Sequence, residues 1–367
     1  MEVAEVAAAA AAAAVAEAAV TDICRSQNRL LLQFHITGRC NLRCKHCYRT
    51  EGDVQPLSYE DVVSVIDQFY MLCEEYNKRH RINKRGHINI TGGEPFIRED
   101  IGKILEYISQ RNFTCGILSN GSFIDGDVIA LLKRINISFV QLSIDGNREM
   151  HDSLRAAGDY DRVFGIARKL QKSGIRTYIS FTANKTNYRY LPEVAKKCRK
   201  CGLTKLWSDR LVPIGNGGEI ADLAITDKEM SDYVRTMKKA QGGFFTKLFY
   251  PKTQVTMNRA LQFINSDGGI YSCSAGNSLI TVDEFGNIMP CRRMPIICGN
   301  IRTDTLSQIY YNHKTFIDLR MPSFPKECKD CTYKYVCKGG ARCQSHAVYT
   351  SYRKCDPACF LQKKEEE

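Results

Sequence analysis

The sequence predicts an α/β fold, in which six βα units build a parallel sheet and a small cysteine-rich domain follows. Short β-branched or aromatic runs alternate with longer amphipathic segments from residue 29 to about 212, which is typical of βα units. Cysteines recur at metal-ligand spacings in the C-terminal third. Glycine, serine and carboxylate motifs also follow the predicted strands directly.

The predicted strands are short and are separated by helical crossovers, as consecutive parallel strands require. The strands are Arg29–Ile36, His87–Thr91, Thr114–Leu118, Ser138–Ile144, Arg176–Thr182 and Lys205–Leu211. The helices lie near residues 59–77, 99–111, 125–134, 161–173 and 190–201.

The motifs occupy corresponding positions after successive strands. A cysteine triplet follows the first strand and Gly-Gly-Glu-Pro follows the second. Ser119-Asn120-Gly121 follows the third and Asp145-Gly146 the fourth. Because ligands bind at the carboxyl ends of the strands in α/β folds, these motifs predict one shared site.

The patterns also suggest domain boundaries. Residues 1–28 are an alanine-rich, low-complexity segment and lead-in, without the basic region of a signal peptide. Residues 29–225 form the predicted βα region and residues 226–270 a bridging helical segment. Residues 271–367 form the cysteine-rich domain.

Composition narrows the class of protein. The chain has 367 residues, 44% of them hydrophobic and 25% charged, which suits one large or two medium globular domains. Seventeen cysteines without an export signal fit a reducing cytoplasm. The net charge of +12 is not concentrated in a basic helix or strand, so we expect no nucleic-acid or membrane partner. A mildly basic surface can attract anionic substrates.

The triplet Cys40, Cys44 and Cys47 predicts an incompletely ligated metal centre. Three thiolates hold only three irons of a four-iron cluster, so the fourth iron stays open for another ligand. A zinc knuckle or a set of buried thiols is the alternative.

This triplet, followed by the aromatic Tyr48 and, 45 residues after Cys47, by Gly92-Gly93-Glu94-Pro95, resembles the radical S-adenosylmethionine (SAM) enzymes. The resemblance implies a partial (β/α)6 TIM-like barrel and a 4Fe-4S cluster whose open iron is chelated by SAM. Reduction then cleaves SAM to a 5′-deoxyadenosyl radical.

The resemblance also implies SAM-contacting residues. The loop with Gly92, Gly93, Glu94 and Pro95 takes the SAM amino group, although an ordinary glycine turn is the alternative. The segment after the fourth strand contacts the ribose and carboxylate. The residues assigned to SAM besides that loop are Tyr48, Ser119, Ser143, Asp145 and Arg155. A solvated helix charge is the alternative for Arg155.

The C-terminal cysteines resemble the SPASM extension, which binds auxiliary iron–sulfur clusters. Cys273-x12-Gly286-x4-Cys291 and Cys328-x2-Cys331-x5-Cys337 fit its pattern, but five residues rather than three precede Cys343. The resemblance assigns Cys273, Cys291 and Cys343 to a first auxiliary cluster, completed by Cys355 or Cys298. It assigns Cys328, Cys331, Cys337 and Cys359 to a second, giving three 4Fe-4S clusters in all. A zinc ribbon is the alternative.

Two further predictions concern single residues. Asp209, at the end of the sixth strand, could accept a substrate proton, or it could be an ion-pair partner of Arg210 or another neighbour. The remaining cysteines lack ligand partners in the sequence and are interpreted as buried or idle thiols. They are Cys24, Cys73, Cys115, Cys198 and Cys201.

The resemblance implies an oxidoreductase that modifies a peptide or protein, with auxiliary clusters accepting electrons to give an oxidised or cross-linked (thioether or carbon–carbon) product. Besides the peptide or protein substrate, the expected partner is a reductant such as flavodoxin or ferredoxin. Because only 39 residues precede Cys40, we expect no built-in leader-peptide-binding domain, so a separate leader-binding protein is a further expected partner. The alternatives are a sulfatase-type formylglycine maturase, a tetrapyrrole or haem-pathway enzyme, and a non-enzymatic iron–sulfur electron carrier.

Overall fold

The computed structural model describes residues 29–49, 57–250, 252–257, 260–262, 273–321 and 323–361. The alanine-rich segment, Cys24 and part of the predicted bridge lie outside the described residues. Within the described ranges, no helix is long and apolar enough to cross a membrane.

One sheet of ten strands organises the described chain, in the order β10-β9-β8-β1-β2-β3-β4-β5-β6-β7. The strands from β8 to β7 run parallel, whereas β9 and β10 are antiparallel additions at one end. The strands are β1 Leu31–His35, β2 His87–Thr91, β3 Thr114–Leu118, β4 Phe139–Ser143, β5 Thr177–Ala183, β6 Lys205–Arg210, β7 Gln254–Thr256, β8 Leu279–Val282, β9 Asn287–Met289 and β10 Gly299–Asn300. All six predicted strands are therefore present.

The helices cross over between the strands and begin at recognisable caps. Ser58 and Asp61 form a reciprocal capping box at the start of the first helix. The helices are α1 Tyr59–His80, α2 Ile101–Gln110, α3 Gly126–Arg134, α4 Arg148–Leu154, α5 Asp159–Lys172, α6 Leu191–Lys200, α7 Asp227–Gln241, α8 Phe244–Phe249, α9 Leu306–Asn312, α10 Lys314–Arg320, α11 Lys334–Cys337 and α12 Arg342–Tyr349. The five predicted crossovers correspond to α1, α2, α3, α5 and α6.

The two faces of the sheet differ in polarity. In β4, Val140 and Leu142 are fully buried in the hydrophobic core, whereas Gln141 and Ser143 line a pocket. This alternation follows from the two-residue period of a strand, which sends successive side chains to opposite faces. The apolar face packs against the helices, and the polar face lines the interior of the curved sheet.

The sheet curls into a partial barrel. Four strands separate β1 from β6 in the sheet order. Nevertheless, the amide of Gly217, in the loop after β6, donates to the carbonyl of Cys47 in the loop after β1, at 2.9 Å. The amide of Asn216 likewise donates to the carbonyl of Arg49. Because β1 and β6 do not pair directly, the barrel is not closed, and the predicted α/β fold with a partial barrel is confirmed.

Four strands that the sequence did not predict, β7 to β10, extend the sheet. β7 lies in the segment predicted as a helical bridge and pairs with β6, and β8 pairs in parallel with β1. Strands of three or four residues carry too little periodicity to be predicted, because their pairing depends on distant neighbours. The cysteine-rich region therefore contributes directly to the same sheet.

Candidate functional site

A pocket opens at the carboxyl ends of the parallel strands. It brings together most of the residues that the sequence singled out. Those lining it are Cys40, Cys44, Cys47, Tyr48, Gly92, Gly93, Ser119, Ser143, Arg155 and Asp209. Glu94, Pro95 and Asp145 are instead buried behind its wall.

The cysteine triplet is supplied by the loop after β1. The side-chain amide of Asn120 lies 3.8 Å from the Cys40 sulfur, and a guanidinium nitrogen of Arg155 lies 3.7 Å from the Cys44 sulfur. Burial raises the pKa of the Cys44 thiol to about 11, against the lowering effect of Arg155. Donors directed at the sulfurs favour thiolate ligands, which metal coordination also requires.

The described thiols of the triplet do not converge on the position of one ion. Among the residues that the structure describes, no three His, Cys, Asp or Glu side chains converge as ligands of one metal ion. Zinc requires such convergence, with sulfur about 2.3 Å from the metal. In a four-iron cluster each cysteine binds its own iron, so the sulfurs stand further apart.

Gly92 and Gly93 bring the loop after β2 against the cysteine loop. Gly92 has a φ of +141°, and a Cβ on Gly93 would lie 2.1 Å from the carbonyl oxygen of Arg39. The amide of Gly93 donates to Thr37 O and that of Glu94 to Arg39 O, each at 2.8 Å. The glycines are thus required for close backbone packing between two loops, in addition to any approach by a ligand.

Replacing Gly93 with alanine is expected to lower the free energy of unfolding by ~1–3 kcal/mol, because the added methyl group overlaps the backbone of Arg39. Urea denaturation measures the effect. Gly126→Ala is the matched control, since its Cβ would meet nothing within 4 Å. Equal stability of the two variants would contradict the packing role.

Glu94 holds the loop after β3 in position and does not face the pocket. Its carboxylate is fully buried and accepts hydrogen bonds from Ser119 Oγ at 2.8 Å and from the Asn120 amide at 2.7 Å. Burial raises the pKa of Glu94, although these hydrogen bonds lower it. The contacts place Ser119 and Asn120 at the pocket wall beside the cysteine loop.

Asp145 is a second buried carboxylate behind the pocket wall, and it orients Arg155. The Arg155 Nε donates to Asp145 Oδ2 at 2.6 Å, and His46 Nε2 lies 3.3 Å from the same oxygen. Although burial alone would raise the pKa of Asp145, the positive charge of Arg155 holds it below its usual range. The Arg155 side chain is only 10% exposed. The alternative of a solvated helix charge is therefore wrong for Arg155.

Asp209 forms an ion pair with a residue of the C-terminal region. Its Oδ2 lies 2.8 Å from a guanidinium nitrogen of Arg293. Arg210, the partner considered from the sequence, donates its backbone amide to Asp209 Oδ1 at 3.0 Å. The Arg210 guanidinium instead makes two hydrogen bonds to Asp356, at 2.8 and 2.6 Å.

The C-terminal cysteines form two groups. Cys273, Cys291 and Cys343 pack around a small apolar cluster that contains Met294 and Leu319. A second group surrounds one small cavity and consists of Cys328, Cys331, Cys337, Cys355 and Cys359.

Two cysteines lie elsewhere than the sequence suggested. Cys355 hydrogen-bonds with Cys328 and Cys359, so it belongs spatially to the second group and not to the first. The Cys298 sulfur lies 3.4 Å from the carbonyl oxygen of Ile296 and packs in the main core. The sequence could not decide which of the two completes the first group. Cys298 lies close in sequence to Cys291, and Cys355 lies close in sequence to Cys343, but only the fold shows which residues are close in space.

The other thiols that the structure describes lie away from the pocket. Cys73, Cys115 and Cys198 are buried, and Cys201, which directly follows α6, is half-buried. Burial raises the pKa of Cys73 and of Cys115 to about 12. They fit the interpretation as idle thiols.

Sequence reasoning missed several residues that line the pocket. Asn120 lies between Ser119 and Gly121, and His46 lies between Cys44 and Cys47. Their position inside these motifs was the sequence signal that could have identified them. Arg292 and Arg293 directly follow Cys291. Nothing in the sequence showed that these two arginines turn towards the barrel.

Comparisons with known proteins agree with this arrangement. Residues 34–198 match the model of the Radical SAM superfamily, and residues 258–332 match the SPASM iron-sulfur cluster-binding domain. The Fe-coproporphyrin III synthase of Methanosarcina barkeri is 26% identical, over 90% of this chain and 88% of that protein. The mycofactocin maturase MftC of Mycobacterium tuberculosis is 26% identical, over 88% of this chain and 80% of that protein. The crystal structure of Streptococcus suis SuiB bound to S-adenosylmethionine has a TM-score of 0.68 at 16% identity, over 93% of this chain and 80% of that one, which shows a shared fold.

Proposed function

Because the chain carries a radical SAM domain followed by an iron–sulfur cluster-binding SPASM domain, we propose that it abstracts hydrogen from a peptide or protein side chain after reductive cleavage of SAM. The observation that carries this proposal is the single pocket that joins the cysteine triplet, the glycine loop and the C-terminal arginines. We further propose that the domains divide at residues 225 and 270.

The chain's own residues would hold and orient the reactants. Cys40, Cys44 and Cys47 would bind the 4Fe-4S cluster, which supplies the electron for SAM cleavage when bound. The Arg155 and Asn120 donors would stabilise the thiolates. The SAM-contacting set would be Tyr48, Gly92, Gly93, Ser119, Ser143 and Arg155. Glu94, Pro95 and Asp145 would position these residues from behind.

The two C-terminal groups would hold two auxiliary 4Fe-4S clusters, giving three in the chain. The first group supplies three described cysteines, which leaves one coordination position for another ligand. The second group offers five cysteines for four positions. Such clusters can accept the electron left on a product radical, giving an oxidised or cross-linked product, and a flavodoxin or ferredoxin would supply electrons to the chain. A separate leader-binding protein would present the peptide.

We propose that Asp209 accepts the substrate proton, since among the described residues that line the pocket it is the one with a carboxylate. Asp209→Asn is expected to reduce product formation by about 100-fold, while SAM cleavage continues. Product and 5′-deoxyadenosine would be quantified together by mass spectrometry.

Asp232→Asn is the matched control, because Asp232 also pairs with an arginine, Arg189, but lies outside the pocket. Product formation by Asp209→Asn at the control's level would exclude the base role. Asp209 would then serve only to hold Arg293.

Tetrapyrrole modification is the second candidate, because six arginines line the pocket and would suit a carboxylated ring. The test measures 5′-deoxyadenosine released anaerobically by the reduced, reconstituted protein. It is run with SAM alone, with peptides encoded beside the gene, and with Fe-coproporphyrin III.

Stimulation by a peptide, with a matching mass change, would support the first proposal. A mass change that fits conversion of cysteine or serine to formylglycine would indicate the sulfatase-type variant. Stimulation by the ring alone would favour the second candidate. Absence of any SAM cleavage would contradict both and favour an electron carrier.

A further inference from the structure

Arginine side chains outnumber carboxylates around the pocket. Of the described residues that line it, Asp209 is the one with a carboxylate. The lining arginines are Arg43, Arg49, Arg155, Arg210, Arg292 and Arg293.

Most of these positive charges are compensated within the protein. Arg155 pairs with the buried Asp145 and Arg293 with Asp209. Arg49 and Arg210 pair with buried carboxylates on the far side of the wall. Arg43 is exposed at the rim.

Arg292 differs from the other arginines of the pocket. Its guanidinium carbon lies 5.5 Å from the centroid of the Tyr48 ring. Its Nε is buried without a hydrogen-bond partner, and no carboxylate in the described part of the chain pairs with it. An aromatic face orients a guanidinium group but does not neutralise it, so the planar pair of donors stays available to a ligand.

Arg292 lies at one side of the residues assigned to SAM, where Tyr48 is its neighbour. Arg292 contacts Tyr48, after β1, while the next residue, Arg293, contacts Asp209 on β6. The arginine pair therefore spans the seam where β1 approaches β6. Ser119 and Ser143 lie at the ends of β3 and β4, on the opposite part of the curved sheet.

We propose that Arg292 binds a carboxylate of the substrate by paired hydrogen bonds, and this rests on the proposed function. A carboxylate matches the fork of a guanidinium group in geometry and charge. The same chemistry is offered by a ring carboxylate and by a peptide carboxylate. Bound there, the substrate lies between Asp209 and the cysteine loop, next to Cys291 of the first auxiliary group.

The test measures equilibrium binding to the reconstituted protein without turnover. One probe pair is Fe-coproporphyrin III and its tetramethyl ester. The other is each peptide encoded beside the gene, with its carboxylates free and with them amidated. Wild type is compared with Arg292→Gln, Arg292→Lys and the control Arg79→Gln, since Arg79 also stacks on a tyrosine, Tyr311, but outside the pocket.

We expect wild type to prefer the acid form of one pair, and Arg292→Gln to lose about 10- to 100-fold of affinity for that acid only. Arg292→Lys should recover part of the loss, because it keeps the charge without the fork. The acid that responds identifies the source of the carboxylate as ring or peptide.

Two results would overturn the assignment. One is an acid preference that is absent in wild type or unchanged in Arg292→Gln. The other is weaker SAM binding by Arg292→Gln with the acid preference intact, which would assign Arg292 to SAM. Because binding is measured without turnover, a failure of SAM cleavage in wild type is a separate result that would overturn the proposed function instead.

Discussion

Cys44→Ala is expected to reduce 5′-deoxyadenosine formation to background, while most of the iron remains bound. Cys44 would supply one of the three thiolates of the SAM-binding cluster, and Arg155 directs a donor at its sulfur. Loss of a partner that orients a ligand typically costs about 10- to 100-fold. Loss of the ligand itself should cost more than that. Iron analysis and 5′-deoxyadenosine release, measured on the same reconstituted sample, check the expectation.

Cys201→Ala is the control for this variant. Cys201 is a half-buried thiol outside the pocket and outside both C-terminal groups. The control should keep full activity and iron, whereas Cys44→Ala should lose about four irons, the content of one cluster. SAM cleavage by Cys44→Ala at the control rate would remove the triplet from the mechanism.

Arg210→Met is expected to lower the free energy of unfolding by ~3–5 kcal/mol, because it leaves the Asp356 carboxylate buried without its counter-ion. The Arg210 and Asp356 side chains are 2% and 0% exposed. Their two hydrogen bonds join the end of β6 to the C-terminal segment. Urea denaturation of the reconstituted protein measures the loss.

The double variant Arg210→Met with Asp356→Leu should recover only part of this stability. Replacing both members of a buried pair by apolar residues is often neutral. Here, however, Asp356 also accepts the amides of Ala341 and Ala358, at 2.8 and 3.0 Å, and leucine would leave both unpaired. Full recovery would show that these two hydrogen bonds contribute little.

An exposed pair provides the comparison. Arg79 and Glu75 are 56% and 34% exposed, so Arg79→Met should cost less than about 1 kcal/mol. A loss in Arg210→Met no larger than this would contradict the role of the buried pair. Because Cys355 and Cys359 flank Asp356 in the chain, we also expect Arg210→Met to retain less iron in the second group.

The six βα units could be predicted because their pattern is local. In β4, buried Val140 and Leu142 alternate with Gln141 and Ser143, and this two-residue period is visible in the sequence. β7 and β8 are defined instead by pairing with strands far away in the chain. Such pairing leaves no periodic signal in three or four residues.

In the candidate site, too, the features with a local sequence pattern could be predicted and those that depend on distant contacts could not. The cysteine triplet and the glycine loop are each short, contiguous motifs, so their residue types and spacing indicate their chemistry directly. By contrast, Glu94 was expected at the ligand but is buried, since its carboxylate bonds Ser119 and Asn120 across 25 and 26 residues. Arg292 became visible only through its contact with Tyr48, from the other end of the chain. Long-range contacts of this kind depend on tertiary packing.

The parallel pairing of β8 with β1 means that the cysteine-rich region protects a sheet edge. Leu31 through Phe34 of β1 would otherwise present unpaired backbone groups along a strand in which Leu32 and Phe34 are fully buried. Uncovered strands of that kind recruit other chains and aggregate. A truncated barrel that ends before residue 271 would thus expose β1 as an unpaired, aggregation-prone edge strand. The cysteine-rich region is consequently a folding partner of the barrel, and the two would have to be expressed, purified and engineered as one unit.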